Sequence, residues 1–159
     1  MKVIFLDVDG VLNHKGTRSR TESGYYFVDD EKIEILKELI DKSGAEVVLS
    51  SDWRKGWYDI DNGKEDTQDA RDFVMLRNKL LEYGIGMIDY TPWIENEYRG
   101  TQIDLWLKGW KGEPVEKMLI LDDYDDMKPY GKYLVMTSSK DGLQKKHMKK
   151  GLRILNESK

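Results

Sequence analysis

Apolar and polar positions along the chain fall into blocks of two kinds. The first is a short apolar run closed by acids or hydroxyls. Lys2-Val3-Ile4-Phe5-Leu6 runs into Asp7, Val47-Val48-Leu49 into Ser50-Ser51, and Met118-Leu119-Ile120-Leu121 into Asp122-Asp123. Runs of this length between polar turns predict strands buried on both faces, as in a parallel sheet. The second kind repeats at helical spacing. Ile33, Leu36, Leu39 and Ile40 form a stripe on a helix capped by Asp29 or Asp30, running to about Asp41 and closed by Ser43-Gly44. Ala70, Phe73, Val74, Leu76, Leu80 and Leu81 form another from about Thr67 to Leu81, with Tyr83-Gly84 closing it. Arg99-Gly100-Thr101-Gln102 opens a helix that carries Ile103, Trp106 and Leu107 inward, with Trp110 one turn beyond Trp106. Leu143, Met148, Leu152 and Leu155 mark a closing helix from Gly142 to about Asn156.

Two further strands complete the alternation. Ile85-Gly86-Met87-Ile88 is the third, weakened by its glycine. Lys117 to Leu121 is the fourth and Tyr133-Leu134-Val135-Met136 the fifth. Between His14 and Gly24 the chain is polar, and the aromatics Tyr25 to Phe27 follow; this reads as a loop or flap over the strand edge. Asp59 to Asp66 reads as an exposed loop, Tyr90 to Trp93 as a link, and Asp125 to Pro129 as a break after the paired acids. Trp53 and Trp57 read as local packing, and His147 as a surface residue. Strands alternating with helices imply right-handed crossovers. The expected fold is α/β: one doubly wound, Rossmann-like parallel sheet of about five strands, in a single domain over residues 1–159.

Composition narrows the chemistry. With 39% hydrophobic and 35% charged residues, the chain suits a thin core under a wet surface. It has no cysteine, which removes disulfides, thiolate catalysis and zinc–thiolate sites. No apolar run approaches the roughly 20 residues that span a bilayer. No cleavable apolar segment precedes the first strand, so the cytoplasm is the default location. The net charge of −4 does not advertise a nucleic-acid binder, although local basic patches remain open.

Three buried strands deliver carboxylate, hydroxyl and carboxylate to one edge of the sheet, where open α/β sheets bind ligands. Asp7 and Asp9 stand two residues apart where the first strand gives way to a turn, which Gly10 permits. Like charges gathered in this way require a cation, and a hard, oxygen-liganded ion such as Mg²⁺ fits them. At this point the sequence resembles the haloacid dehalogenase (HAD) superfamily of aspartate-nucleophile phosphatases. The stretch Asp7-Val8-Asp9-Gly10-Val11-Leu12-Asn13 matches its DxDGxL motif, and the serine after the second strand and the acid pair after the fourth follow in the family's order.

The resemblance implies roles. Asp7 resembles the nucleophile that forms an aspartyl-phosphate, and Asp9 the general acid/base, whose proton affinity crowding among acids would raise. Ser50, with Ser51 beside it, matches the phosphate-binding hydroxyl. Mg²⁺ would be held by Asp7, the backbone carbonyl of Asp9 and the acid pair, with Asp123 preferred over Asp122 as the direct ligand. The cationic third motif is matched by Arg99, at a helix start that favours anions, with Lys108 and Lys111 as fallbacks. Arg54 is expected to grip phosphate bidentately. Lys15, Arg18 and Arg20 would overhang the site and meet additional phosphates. No segment provides a cap domain, and the helix opening at Arg99 and the Ser50–Arg54 segment resemble the phosphatase domains of polynucleotide kinase-phosphatases and RNA-repair proteins.

The resulting expectation is a Mg²⁺-dependent phosphomonoesterase acting on a phosphorylated substrate, with a nucleic-acid end or nucleotide first, away from membranes. Its preference for oligonucleotides should shrink as salt rises, because Lys and Arg contacts to phosphate release counterions. The alternatives are a phosphatase for a small metabolite or phosphoprotein, and a non-catalytic phosphate-binding module on the same fold. An acidic domain phosphorylated by a partner would also follow its first strand with an acid pair, but not with DxDGxL.

Overall fold

The computed structural model describes residues 1–157. Its strands β1 (Lys2–Leu6), β2 (Glu46–Leu49), β3 (Met87–Tyr90), β4 (Lys117–Asp122) and β5 (Leu134–Met136) form one parallel sheet in the order β3-β2-β1-β4-β5. Five helices connect and cover it: α1 (Asp30–Ser43), α2 (Arg54–Asp61), α3 (Gln68–Glu82), α4 (Arg99–Gly109) and α5 (Lys145–Asn156). Side chains alternate between the two faces of each strand. Ile4, Leu6, Val47, Leu49, Leu119 and Leu121 pack against the stripes of α1, α3 and α5. Val3, Phe5, Val48, Met118 and Ile120 pack against Ile103 and Trp106 of α4. The Phe5 and Trp106 rings meet edge to face at 5.4 Å. Both faces are therefore covered, and Val3 through Leu6 are wholly buried. Each such aliphatic side chain contributes roughly 1.5–3 kcal/mol.

The connectivity decides where the site lies. From β1 the chain winds outward through β2 to β3, then returns along α4 to place β4 on the other side of β1. The strand order reverses between β1 and β4, and ligands bind in α/β sheets at such a switch point. The longest stretch between elements among the described residues joins β1 to α1, and no cap domain is inserted. No described helix is long and apolar enough to cross a membrane.

The structure corrects several boundaries. Where an exposed loop is expected over Asp59–Asp66, α2 reaches Asp61, and Asp59 is buried, accepting from Thr67 Oγ1 at 2.8 Å. The helix forms because Trp57 stacks on Phe73 (5.1 Å) and meets Tyr90 (4.8 Å), so tertiary packing outweighs a polar local sequence. Strand β3 starts at Met87 rather than Ile85, because Ile85 is buried beneath the α3 exit and Met87 is the residue that pairs with Val47. Helix α5 begins at Lys145 rather than Gly142, since Leu143 N donates to Val11 O (2.8 Å) and ties that turn to the β1 loop. The expected surface residue His147 is buried and accepts from Gln144 N through Nδ1 (2.9 Å) as part of a capping box. Burial and then the neighbouring lysines hold its pKa below the usual histidine value. Asp29 occupies the N-cap position of α1, but its carboxylate accepts from Thr17 Oγ1 (2.7 Å) instead of from the helix.

Candidate active site

Register brings the functional ends together. Leu6 pairs with Leu49 on one side and Leu121 on the other, so Ser50, Asp7 and Asp122 leave the sheet at one level. The ladder continues past the strands through Asp7 N to Leu121 O (3.0 Å) and Ser50 N to Leu6 O (2.8 Å). Asp7 is thereby fixed by its backbone, as Asp122 is by accepting from Thr137 N (2.9 Å), and both are buried. Asp7, Asp122 and Asp123 each offer a carboxylate oxygen, and these oxygens lie within 4.8 Å of one another. Gly10 turns the chain above them with φ +79°, and a Cβ there would lie 2.6 Å from Asp123 Cγ.

Arg99 enters this group from the first turn of α4. Its Nη1 lies 3.3 Å from Asp7 Oδ1 and 3.5 Å from Asp122 Oδ2, and it also donates to Ser50 O. Its Nη2 lies 3.3 Å from Asp52 Oδ1. Burial works to lower the Arg99 pKa, but Asp7, Asp122 and Asp52 outweigh it and hold the pKa above its usual value. Burial, then the charge of Asp122, push Asp7 well above the ordinary carboxylate range, with Arg99 opposing. Asp122 is pushed up to about 6, chiefly by burial. The other two candidate cations do not reach the site. Lys108 is exposed and pairs with Asp104 at 2.7 Å, and Lys111 lies beyond the end of α4 on the exposed surface.

The crowding of acids falls on Asp7 and Asp122, and Asp9 stands outside it. Asp9 is exposed; its Oδ1 accepts from Asn13 Nδ2 (2.9 Å) and its Oδ2 from Trp53 Nε1 (3.2 Å). Trp53 is thus more than packing, although its ring also meets Phe27. Asn13 is a site residue that reading for titratable groups passes over. It is buried, accepts from Gly10 N (2.9 Å), donates to Phe27 O (2.9 Å) and so sets both the turn and the Asp9 carboxylate. Its position at the end of the Asp7–Asn13 motif was the available clue.

Ser50 and Ser51 part company. Ser50 Oγ is buried without a hydrogen-bond partner, while Ser51 Oγ accepts from Trp53 N (3.2 Å) and caps the turn into α2. Arg54 is buried, not poised over the edge. It donates to Ser51 O (2.8 Å) and Gln102 Oε1, and lies 5.0 Å from the Trp93 ring centre. Burial, then the charge of Arg99, lower its pKa to about 10. The expected bidentate phosphate grip is replaced by a brace between the β2 loop and α4, because both terminal nitrogens are engaged. The basic flap is also corrected. Of Lys15, Arg18 and Arg20, only Lys15 lines the cavity beside the site, and Arg20 lies over the Tyr26 ring at 4.1 Å.

This arrangement can be set beside known proteins. Residues 3–148 match the sequence profile of the HAD domain in Swiss Army Knife RNA repair proteins. The chain belongs to this family. A comparison with curated proteins finds no match. In this HAD domain the matched span runs from β1 into α5, so it takes in every residue gathered at the switch point.

The donor set also suits the ion that HAD domains typically use. All the offered atoms are oxygens, Asp122 Oδ2 is buried with no hydrogen-bond partner, and three carboxylates face one guanidinium. A hard divalent cation such as Mg²⁺ answers that excess of charge. Gly10→Ala tests the packing of this group. It strains a positive φ and drives the Asp123 carboxylate aside, and a misplacement of ~1 Å in such a site can cost about 10²-fold in rate. We expect the variant to fold and to bind added Mg²⁺ at least tenfold more weakly than wild type in a calorimetric titration. Wild-type affinity in the variant would refute the contact.

Proposed function

We propose that this HAD domain is a Mg²⁺-dependent phosphomonoesterase acting on phosphorylated nucleic-acid ends. The observation that carries the reading is Asp7 on the switch-point edge, paired with Arg99, which also donates to Ser50 O, while Ser50 Oγ is left without a hydrogen-bond partner. Phosphoryl transfer needs a nucleophile, an acid for the leaving oxygen and positive charge around the transferred group. Asp7 attacks phosphorus and forms the aspartyl–phosphorus oxygen bond as the ester bond breaks. Asp9 gives its proton to the departing oxygen. It then takes a proton from water, whose oxygen attacks phosphorus, releases phosphate and restores Asp7. Ser50 Oγ and Arg99 hold the phosphate oxygens. Bound between Asp7, the Asp9 carbonyl and the Asp122–Asp123 pair, Mg²⁺ would supply charge neutralisation for the attacking carboxylate and the phosphate. Of the pair, Asp122 is the better-placed ligand here, being the buried member, with an oxygen that accepts no hydrogen bond and meets only the Arg99 charge at 3.5 Å.

The choice of a nucleic-acid end rests on the family's printed association with RNA repair and on the rim of the site. Tyr25, Tyr98 and Tyr124 are exposed by 69%, 69% and 67%, and the last two adjoin Arg99 and Asp123 in sequence. Exposed aromatics are platforms on which bases stack. The test compares a 3′- and a 5′-phosphorylated oligonucleotide with a sugar phosphate and p-nitrophenyl phosphate, at two ionic strengths. The better oligonucleotide should have the highest kcat/KM. With Lys15 the single lining lysine, its salt dependence should be shallow, in keeping with about one phosphate contact. A sugar phosphate winning at both ionic strengths would favour a metabolic substrate.

The ion is tested separately from the reaction. Asp122→Asn removes one of two buried like charges while keeping the shape and the acceptor for Tyr124 N, which is 3.0 Å away. Its melting temperature in EDTA should therefore rise above wild type, and the stabilisation that Mg²⁺ gives the wild type should vanish. An unchanged Mg²⁺ shift in the variant would remove Asp122 from the ligand set.

A further inference from the structure

Beside the catalytic edge lies a cavity of about 570 Å³ whose far half the reaction does not use. Asp9, Gly10 and Asp123 line it together with Trp53, whose Nε1 donates to Asp9, and with Tyr25 and Tyr26 of the flap and Asp69 and Asp72 of α3. Its volume falls within the ~300–1,000 Å³ typical of small-molecule sites. Its charge is informative. Five aspartates line it (Asp9, Asp52, Asp69, Asp72 and Asp123) against the one lysine, Lys15. Such walls repel a second phosphate and accept hydrogen bonds from neutral donors. The side chains that could stack are separate from those that could accept. Tyr25 is exposed, and Tyr26 and Trp53 are half-buried along the same wall. Asp72 spends Oδ1 on Gln68 Nε2 (2.7 Å) and Asp69 pairs with Lys55 (3.3 Å), so each is steadied with an acceptor oxygen to spare.

We infer that this cavity receives the base of the phosphate-bearing nucleotide and favours bases with an exocyclic amino group over uracil. The inference rests on the phosphatase reading for the position of the phosphate, at the Asp9 end. Beyond it, the base stacks on the Tyr25–Trp53 wall, and the amino group of cytosine or adenine donates to Asp72 or Asp69. A carboxylate accepting from cytosine N4 is a standard pairing, and uracil presents a carbonyl oxygen at that position, which a carboxylate repels. The rest of the nucleic acid leaves the cavity, because five aspartates against the single Lys15 disfavour its next phosphate there.

Cytidine and uridine nearly share a shape and differ in this donor pattern, and neither carries phosphate. Titrating each into the wild-type protein with Mg²⁺, followed by tryptophan fluorescence and by NMR shifts, therefore reads the pocket without the chemistry. Cytidine and adenosine should bind at least fivefold more tightly than uridine. Asp72→Asn should shrink that preference to under twofold. Tyr25→Ala, at an exposed position, should weaken all three nucleosides about tenfold. Asp72→Asn should hydrolyse p-nitrophenyl phosphate at the wild-type rate. Oligonucleotides with a phosphorylated C or A end should exceed U-ended ones in kcat/KM by the same ratio as the nucleosides. Equal binding of cytidine and uridine, or a preference that survives Asp72→Asn, would overturn the base pocket even with hydrolysis intact. Nucleoside preference without hydrolysis of any phosphoester would instead overturn the phosphatase reading and leave the pocket standing.

Discussion

Asp7→Asn is expected to abolish phosphoester hydrolysis, by roughly 10³-fold or more, while leaving the fold in place. The amide is nearly isosteric with the carboxylate, so the ladder bond from Asp7 N to Leu121 O and the packing at the switch point are kept. What it removes is the carboxylate at the end of β1 that pairs with Arg99 and lies in the cluster with Asp122 and Asp123. It also removes one of two buried like charges, so the melting temperature in EDTA should hold or rise. Activity, circular dichroism and melting should be measured on the same preparation. A folded variant that keeps more than a few per cent of wild-type kcat would take the nucleophile's role away from Asp7.

Removing Arg99 should have the second-largest effect, and it should appear in stability as well as rate. The guanidinium contacts Asp7, Asp122 and Asp52 and donates to Ser50 O, tying three loops of the edge together. In Arg99→Met two buried carboxylates lose that cation. Breaking a buried pair by deleting one partner costs about 3 kcal/mol, so the melting temperature in EDTA should fall markedly. Mg²⁺ should recover part of the loss, because it neutralises the same carboxylates. Activity should fall by about 10² or more even at saturating Mg²⁺, since the transferred phosphate loses the positive charge beside the nucleophile. Arg99→Lys keeps the charge without the fork and should lie between the two. A Met variant within twofold of wild type in both stability and kcat/KM would return Arg99 to the status of a surface residue.

The two variants separate the chemistry from the scaffold. Asp7→Asn should lose rate and keep stability; Arg99→Met should lose both. The difference follows from their surroundings. Asp7 is surrounded by like charge, which its neutralisation relieves, whereas Arg99 is what compensates that charge. Stability measured in chelator should therefore respond to any change in the charge count of this edge.

What was legible in the sequence was whatever depended on short-range pattern. The three apolar runs ending in Asp7, Ser50 and Asp122 could be read as buried strands because a strand covered on both faces needs every position apolar. Their polar endings could be read as one edge because parallel strands start and stop in step. Asp7, Asp122 and Asp123 were accessible in this way and Arg99 through the family resemblance, and the structure brings them together. Only the tertiary structure could decide what each polar side chain faces. Ser50 and Ser51 are neighbours with the same hydroxyl, yet only Ser51 finds a backbone donor within its own turn. Arg54 looked like a phosphate ligand because it follows the serines; at the start of α2 it instead turns inward to Ser51 O and to Gln102 of α4. The acidic segment after Tyr58 looked like a solvated loop, and becomes helix as far as Asp61 because Trp57 finds Phe73 and Tyr90, residues distant in the chain. Lys15, Arg18 and Arg20 looked alike along the flap, but its path leaves one of them in the cavity, opposite aspartates that α3 supplies. A hydrophobic pattern specifies which face of an element is buried, since that depends on periodicity alone. The partner of a buried charge depends on where several elements meet, and no single stretch of sequence contains that meeting.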